Sequence, residues 1–181
     1  GWQLDNEFKC HVSECMCNTC KELWHLWLKE RYETIENLND AWGTKIWSEY
    51  YHSFDQVPQP GPAPFLHNSS LSTMYQLFSM EKIAQFADDQ AEIIRKYSDA
   101  PITHNSSVFF GVDNERLFQN LDFASFDTYA TIDNFPAYLI NSDLWRNLKK
   151  DRPFWVMETS PSYAASLESY ASPHPNGYLK V

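Results

Sequence analysis

Short apolar runs alternate along the chain with longer amphipathic segments, and this alternation constrains the fold more than any other feature. Four runs have the length of strands: residues 2–5, 101–104, 121–128 and 153–157. Segments with the apolar spacing of helices lie between them. Strands that alternate with helices usually pair in parallel, so the order predicts an α/β fold built on a parallel sheet.

The helical segments can be placed approximately from the same spacing. Helices are expected over 20–32, over 34–42 with Gly43 closing the end, over 73–98 with Ser72 as the cap, and over 137–150, with a helical turn at 113–120. The core-facing residues expected on the two last helices are Tyr75, Phe78, Ile83, Phe86, Ile93 and Tyr97, and Leu139, Ile140, Leu144 and Leu148. Trp24, Trp27 and Trp145 also occupy helical positions and are expected to be packing residues. Residues 44–71 are rich in proline and aromatic residues, which predicts a long loop.

Each strand candidate ends in polar residues that can take part in chemistry. These residues are Asn6-Glu7, His104-Asn105, Asp127 with Tyr129, and Glu158. In a (β/α)8 barrel the active site gathers at the carboxyl ends of the strands. The positions of these residues therefore favour a barrel over an open sheet.

Two of the strand-end residues, Glu7 and Glu158, suggest a specific reaction. Paired carboxylates catalyse glycoside hydrolysis, one protonating the leaving oxygen and the other attacking the sugar or activating water. Retaining enzymes hold the two groups about 5–5.5 Å apart, and we expect that separation here. For either glutamate alone the competing interpretation is a first solvated residue after a strand.

Charge and hydropathy exclude some functions and leave others open. With 14 Lys and Arg against 24 Asp and Glu, the net charge of −10 argues against a nucleic-acid partner. No run of about 18 apolar residues is present, so no membrane role is indicated. The chain begins at Gly1 and looks like an internal piece of a larger bacterial cytoplasmic protein, although a signal peptide on the parent is not excluded.

The four cysteines lie together, at Cys10, Cys15, Cys17 and Cys20. Closely spaced thiols in a reducing compartment favour a structural zinc site in an insertion at about residues 10–20. Cys15, Cys17 and Cys20 are the stronger candidate ligands, and Cys10 and His11 rank below them. Free cysteines are the alternative, whereas a nucleic-acid-binding zinc finger conflicts with the acidic charge.

Three segments make the chain recognisable. WQLDNEFKCHVSECMCNTC and WLKERYETIENLNDAWGTKIWSEYY resemble the family 42 glycoside hydrolases, which are bacterial and archaeal β-galactosidases, and PFWVMETSPS resembles that family's second catalytic motif. The resemblance covers essentially the whole chain. It implies a partial (β/α)8 TIM barrel comprising about strands four to seven, within a single catalytic barrel of which residues 1–181 are a fragment.

The resemblance also implies roles for individual residues. It makes Glu7 the general acid/base and Glu158 the nucleophile of a retaining β-galactosidase. Asn6 would donate a hydrogen bond to the sugar 2-hydroxyl, Trp47 would line the galactose site, and Tyr129 would contact the nucleophile.

The resemblance further implies that Cys15, Cys17 and Cys20 bind zinc with a fourth cysteine from an earlier strand, outside this chain. It implies no organic cofactor, and family members often form trimers. One departure is Ser166, where several members have tryptophan. Two other interpretations stay open: a retaining barrel glycosidase for a different sugar, and a non-catalytic carbohydrate-binding remnant. The isolated fragment is expected to be inactive.

Overall fold

The computed structural model describes residues 1–12, 14–62, 68–129 and 135–159, and of Trp47 it describes the backbone alone. In these ranges the strands are β1 (Trp2–Gln3), β2 (Ile102–Thr103), β3 (Asn105–Ser106), β4 (Ser125–Asp127) and β5 (Trp155–Glu158). The α-helices are α1 (Asn18–Tyr32), α2 (Ile35–Trp42), α3 (Ser69–Arg95), α4 (Asn114–Phe118) and α5 (Phe135–Leu148). Short 3-10 helices, Ile46–Ser48 and Phe54–Gln56, interrupt the predicted loop.

The chain divides into two compact units. The strand unit comprises residues 1–11 and 83–181, and the helical unit comprises residues 12–82. All strands of the described ranges belong to the strand unit, and α1 and α2 belong to the helical unit. Helix α3 contributes to both because it runs through the boundary at residue 83.

Parallel pairing organises the strand unit. β1 pairs with β2, and β4 lies between β3 and β5 in a second sheet. Trp2 lies opposite Ile102, and Phe126 lies opposite both Ser106 and Val156. Every strand pair in the described part of the chain is parallel, which confirms the pairing predicted from the alternation of elements. The carboxyl ends of β3, β4 and β5 therefore meet at one edge.

The strand predicted over 101–104 is divided in the structure. His104 separates β2 from β3, and the chain changes pairing partner there, from β1 to β4. The His104 side chain is completely buried and hydrogen-bonds to backbone atoms of residues 4 and 8. A side chain with these bonds specifies the local path of the strand more strongly than its apolar pattern does.

Helix α5 packs through a different face from the one that its leucines predict. Trp145 is buried and stacks on Phe126 with ring centroids 5.2 Å apart. Leu139, Ile140 and Leu144 are 48%, 63% and 51% exposed, so the predicted face is wrong at these three positions. One buried tryptophan ring removes more apolar surface from water than a leucine, which explains why the Trp145 face contacts the strands.

Helix α3 begins earlier than predicted and buries other residues. Its first turn follows Asn68, whose Oδ1 accepts from the Ser70 amide, so Ser72 is not the cap. Tyr75 and Phe78 are buried as expected. Three further residues expected in the core are at least half exposed, namely Phe86, Ile93 and Tyr97. Three alanines are buried instead, namely Ala84, Ala87 and Ala91. Small side chains allow a helix backbone to approach its neighbours closely, and periodicity of large residues cannot reveal that face.

Within the described ranges no helix, α3 included, is long and apolar enough to cross a membrane.

An aromatic cluster forms the core of the helical unit. Trp24 is completely buried, stacks against Trp27 at 5.4 Å and meets the edge of Tyr75 at 5.1 Å. The packing role expected for Trp24 and Trp27 is confirmed. Helix α2 has both predicted end signals: the Thr34 hydroxyl accepts from the amide of residue 37, and Gly43 closes the helix with φ of 64°.

Candidate active site

Glu7 lies in a tight turn after β1. The turn is closed by a hydrogen bond from the Cys10 amide to the Glu7 carbonyl, at 3.0 Å. Glu7 has a φ of 43°, which is unusual for a residue other than glycine. Leu4 and Phe8, which come before and after it in the chain, have buried side chains. Backbone strain of this kind persists only where the surrounding structure enforces it.

His104 supplies part of that enforcement. Its Nδ1 donates to the Leu4 carbonyl at 2.6 Å, and its Nε2 accepts from the Phe8 amide at 3.2 Å. The imidazole also stacks on the Phe8 ring, with centroids 4.1 Å apart. Burial lowers the pKa of His104, which agrees with a neutral ring that donates from one nitrogen and accepts at the other. His104 therefore joins both sides of the turn that carries Glu7.

Glu158 ends β5, and both of its carboxylate oxygens have donors. Tyr129 Oη donates to Oε2 at 2.7 Å, and Asn105 Nδ2 donates to Oε1 at 3.1 Å. The Glu158 carbonyl accepts from the Thr128 amide at 3.0 Å. Burial and the Glu158 carboxylate raise the pKa of Tyr129, so the phenol keeps its proton and can donate it.

A third carboxyl group lies with the two glutamates. One carboxylate oxygen from each of Glu7, Asp127 and Glu158 lies within 4.8 Å of the others. Burial, and then the charges of Glu158 and Glu7, raise the pKa of Asp127 to about 7. Asp127 Oδ1 is buried and has no hydrogen-bond partner among the described residues. Three acidic groups at this spacing cannot all be ionised without strong repulsion.

Asn105 connects these groups. Its Nδ2 lies 3.0 Å from Asn6 Oδ1, 2.9 Å from Asp127 Oδ2 and 3.1 Å from Glu158 Oε1. Its Oδ1 accepts from the Glu7 amide at 3.2 Å and from Gln3 Nε2 at 2.9 Å. The side chain is completely buried at the first residue of β3.

A cavity of ≈ 340 Å³ opens beside these residues in the strand unit. Glu7, Asp127 and Tyr129 line it together with the aromatic rings of Phe109 and Tyr138. The volume lies near the lower end of the range of ligand pockets, about 300–1,000 Å³. Acidic groups beside aromatic rings suit a polar ligand that has apolar faces, such as a sugar ring.

The structure brings together four of the five predicted catalytic and substrate residues, namely Asn6, Glu7, Tyr129 and Glu158. Trp47 lies in the helical unit, in the 3-10 helix Ile46–Ser48, and its side chain is outside the described residues, as is Ser166. Their catalytic and binding roles stay predictions.

Sequence reasoning gave no role to three residues of this site: Gln3, Asn105 and Asp127. Asn105 and Asp127 were visible as polar residues at strand ends, and that position was the available signal. Gln3 lies inside a strand and carried no signal.

The cysteine cluster of the helical unit precedes α1. The sulfurs of Cys15, Cys17 and Cys20 lie within 4.8 Å of one another. Cys17 is the N-cap of α1, and donation from the Cys20 amide is the main cause that lowers its pKa to about 7. Burial raises the pKa of the Cys20 thiol to about 12. The close spacing of the three sulfurs fits a tetrahedral zinc ion, whose sulfur ligands lie about 3.8 Å apart for bonds of about 2.3 Å.

Cys10 belongs to the strand unit rather than to the helical unit. Its Sγ lies 3.2 Å from Nε2 of His11, and Glu7 lies near both. Burial is the main cause that raises the pKa of the Cys10 thiol, followed by a hydrogen bond with Glu7. These neighbours give Cys10 different surroundings from those of the other three cysteines.

Comparison with known proteins gives consistent matches. The sequence model of the glycoside hydrolase 42 family, described as β-galactosidase, matches residues 1–181. β-Galactosidase YesZ of Bacillus licheniformis and that of Bacillus subtilis are each 74% identical over 181 residues, which are 100% of this chain and 27% of the relative. The chain therefore spans about a quarter of the length of these relatives.

Solved structures agree with the sequence matches. The polyextremophilic β-galactosidase from the Antarctic haloarchaeon Halorubrum lacusprofundi has a TM-score of 0.82 at 35% identity, over 90% of this chain and 27% of that chain. The agarase AgWH50C has a TM-score of 0.52 at 18% identity over 82% of this chain and 20% of that chain, which shows a likeness of fold alone. These likenesses support a TIM-barrel fold.

Proposed function

Because the chain belongs to glycoside hydrolase family 42, we propose that its parent protein hydrolyses terminal β-D-galactosides, with Glu7 as the general acid/base and Glu158 as the nucleophile. The observation that carries the proposal is the meeting of the two glutamates: their carboxylate oxygens lie within 4.8 Å, although the residues are far apart in sequence. The choice of galactose as the sugar rests on the relatives that are named β-galactosidase.

The short separation supports a retaining mechanism. Carboxyl groups about 5–5.5 Å apart leave no room for a water molecule between sugar and base, so the second group attacks the anomeric carbon itself. Glu158 would form a glycosyl ester while Glu7 protonates the departing oxygen. Glu7 would then remove a proton from water, which attacks the ester and releases the sugar with its original configuration.

Hydrogen bonding at the site supports the assigned roles. Both oxygens of Glu158 accept hydrogen bonds, which fixes the orientation that the carboxylate of a nucleophile needs. Asn6 accepts through Oδ1 from Asn105, so its NH2 group is the part that can donate to a sugar 2-hydroxyl. The family resemblance alone supports a further proposal, that Trp47 binds galactose as an aromatic surface.

We also propose that the chain supplies about strands four to seven of a (β/α)8 barrel. In this assignment the successive barrel strands are β1, then β2 and β3 together as one strand divided at His104, then β4 and β5. Their parallel pairing and the acidic residues that follow β1 and end β4 and β5 support it.

A structural zinc ion bound by Cys15, Cys17 and Cys20 is part of the proposal. The three thiols fit the ion, and a fourth ligand from another part of the parent protein would complete a tetrahedron. A closed four-ligand site offers no position to substrate, so its contribution would be to stability.

Azide rescue of two variants of the full-length parent tests the roles. In Glu158→Ala, azide takes the place of the nucleophile and displaces the leaving group once, so the product should be the α-galactosyl azide. In Glu7→Ala, azide attacks the glycosyl ester from the opposite side, so the product should be the β-galactosyl azide. Glu30→Ala, which removes an exposed carboxylate of α1, is the matched control and should keep normal turnover.

Each result has a definite meaning. Near-normal turnover by either site variant would show that the catalytic assignment is wrong. Exchanged azide anomers would reverse the two roles. Hydrolysis of another nitrophenyl glycoside but not the β-galactoside would keep the mechanism and change the sugar. No hydrolysis of any glycoside would favour the carbohydrate-binding alternative.

A further inference from the structure

Asn105 contacts more of the site than any predicted catalytic residue does. Its two polar atoms are close to five partners on three segments: Gln3, Asn6 and Glu7 on or just after β1, Asp127 on β4 and Glu158 on β5. The side chain is completely buried, and β3 carries it next to β4.

The hydrogen-bonding capacity of an amide is fully used at this position. The NH2 group has two protons, and it faces three acceptors, on Asn6, Asp127 and Glu158. The carbonyl oxygen has two lone pairs and accepts two bonds, from Gln3 and from the Glu7 amide. Asn105 therefore has no free group to offer a sugar, and its effect must pass through its neighbours.

The arrangement restrains both glutamates at once. Tyr129 holds one oxygen of Glu158 and Asn105 holds the other, so the plane of the carboxylate is defined. Asn105 also binds the Glu7 amide, at the residue whose φ is strained. Without such donors, neighbouring carboxylates would rotate away from one another.

We propose that Asn105 is a positioning residue that holds the Glu158 carboxylate and the Glu7 backbone in one reactive geometry, and that Asp127 assists by fixing the Asn105 amide. This inference rests on the proposed function. It assigns Asn105 no contact with substrate. Only the acceptor at position 127 is needed, so an amide there should replace the carboxylate.

The test measures the orientation of the nucleophile directly, in the full-length parent. A 2-deoxy-2-fluoro-β-galactosyl fluoride forms an ester with Glu158 Oε as fluoride leaves, and the slow second step lets the labelled enzyme accumulate. The saturating labelling rate is measured for wild type, Asn105→Ser, Asn105→Asp and Asp127→Asn. Asn120→Ser removes another asparagine–aspartate hydrogen bond, to Asp88 outside the site, and is the matched control.

Asn105→Ser should slow labelling by about 100-fold, because a misplacement of about 1 Å can cost that much. Its inhibition constant for galactose should stay within about three-fold of wild type, since a residue that touches no sugar should change the chemical step and not binding. Asn105→Asp keeps the size and an acceptor but cannot donate when ionised, and it should be at least as slow. Asp127→Asn keeps an acceptor for the Asn105 amide, so it should slow labelling less than either Asn105 variant does, and Asn120→Ser should match wild type.

Two results would overturn the inference: labelling of Asn105→Asp at the wild-type rate, or an equal loss of labelling rate and galactose affinity in both Asn105 variants. Melting temperatures identify a variant that fails to fold, and the isosteric Asn105→Asp then decides. If wild type itself is not labelled on Glu158, the proposed function fails. If wild type is labelled and the Asn105 variants are labelled at the same rate, only the positioning role of Asn105 fails.

Discussion

At the scale of single residues, neutral side chains define the position of the acidic ones. His104 joins the two sides of the turn that carries Glu7, and Tyr129 and Asn105 bind the two oxygens of Glu158. Buried neutral donors stabilise a carboxylate without adding a competing charge. The geometry of the site therefore depends on residues that would not themselves react.

Tyr129→Phe tests one of these donors. The change removes the hydrogen bond to Glu158 and keeps the ring, so kcat/KM for nitrophenyl β-galactoside should fall about 10- to 100-fold, the equivalent of about 1.5–3 kcal/mol for a bond to a charged group. Tyr97→Phe, at a tyrosine that is 86% exposed, should leave the value unchanged. A Tyr129→Phe enzyme with wild-type kcat/KM would show that the bond has no part in catalysis.

Asp127 should make the stability of the site depend on pH. Its pKa is about 7 in the folded protein against an ordinary value of 3.8, so the folded state binds more protons between these values. The stability that Asp127 contributes is complete below about pH 4 and is lost as the pH rises through 7, by an amount on the order of 4 kcal/mol.

Asp127→Asn removes this titration. From pH 5 to 8 the full-length wild type should lose apparent melting temperature relative to Asp127→Asn, with Asp99→Asn, at an exposed position, following wild type. Glu7 and Glu158 face Asp127 and interact with its charge, so the difference between the curves measures the loss of Asp127 together with its coupling to them. Parallel curves for wild type and Asp127→Asn would exclude a raised pKa.

At the scale of elements, the beginning of α1 combines a cap with a cluster of ligands. Cys17 accepts from the Cys20 amide as the N-cap, and the Tyr75 hydroxyl donates to the Cys15 carbonyl at 2.6 Å. These bonds hold the segment that carries the three sulfurs against the aromatic core of the helical unit. Because the three thiols are held close together, binding of a metal ion would require little rearrangement.

Metal content tests the zinc proposal. The full-length parent should contain one zinc per chain by mass spectrometry of the metal, and Cys17→Ser should lose most of it, together with hydrogen-exchange protection of α1. Cys10→Ser should retain the zinc, because Cys10 is in the strand unit. A wild-type protein without zinc, or a Cys17→Ser protein with the wild-type content, would contradict the proposal.

At the scale of the whole molecule, the described part of the strand unit leaves strand edges unpaired and large apolar side chains exposed. In the described part of the chain, β1 and β5 each pair with one neighbour. Large apolar side chains that are at least 45% exposed in the strand unit include Trp2, Phe86, Ile93, Leu139, Ile140, Leu144 and Trp155. Open strand edges and exposed apolar side chains promote association.

The isolated 181-residue chain should therefore be inactive and prone to self-association. Size-exclusion chromatography should give species larger than a monomer, and nitrophenyl β-galactoside should not be hydrolysed at concentrations where the full-length parent is active. The chain covers 27% of the length of the YesZ relatives, so most of the length of such a protein is absent from it. Monomeric elution with measurable turnover would disprove this expectation.

Local patterns of the sequence determined a large part of the fold. The alternation of strands and helices, the ends of α2 at Thr34 and Gly43, and the cysteine spacing before α1 all depend on residues within a few positions of one another. Glu7 and Glu158 were also identifiable, because each follows or ends an apolar run and the surrounding motifs resemble a known family.

Tyr129 was expected beside Glu158, but only the tertiary structure showed that Asn105 contacts both glutamates. The partners of Asn105 come from positions 3 to 158, and no periodicity along the chain can express such a set of contacts. Trp145 was expected to pack from its helical position and is buried, but only the structure shows that it stacks on Phe126 and that the leucine face of α5 is exposed. Backbone periodicity is a local property, whereas hydrogen-bond partners and packing faces depend on which distant segments come together.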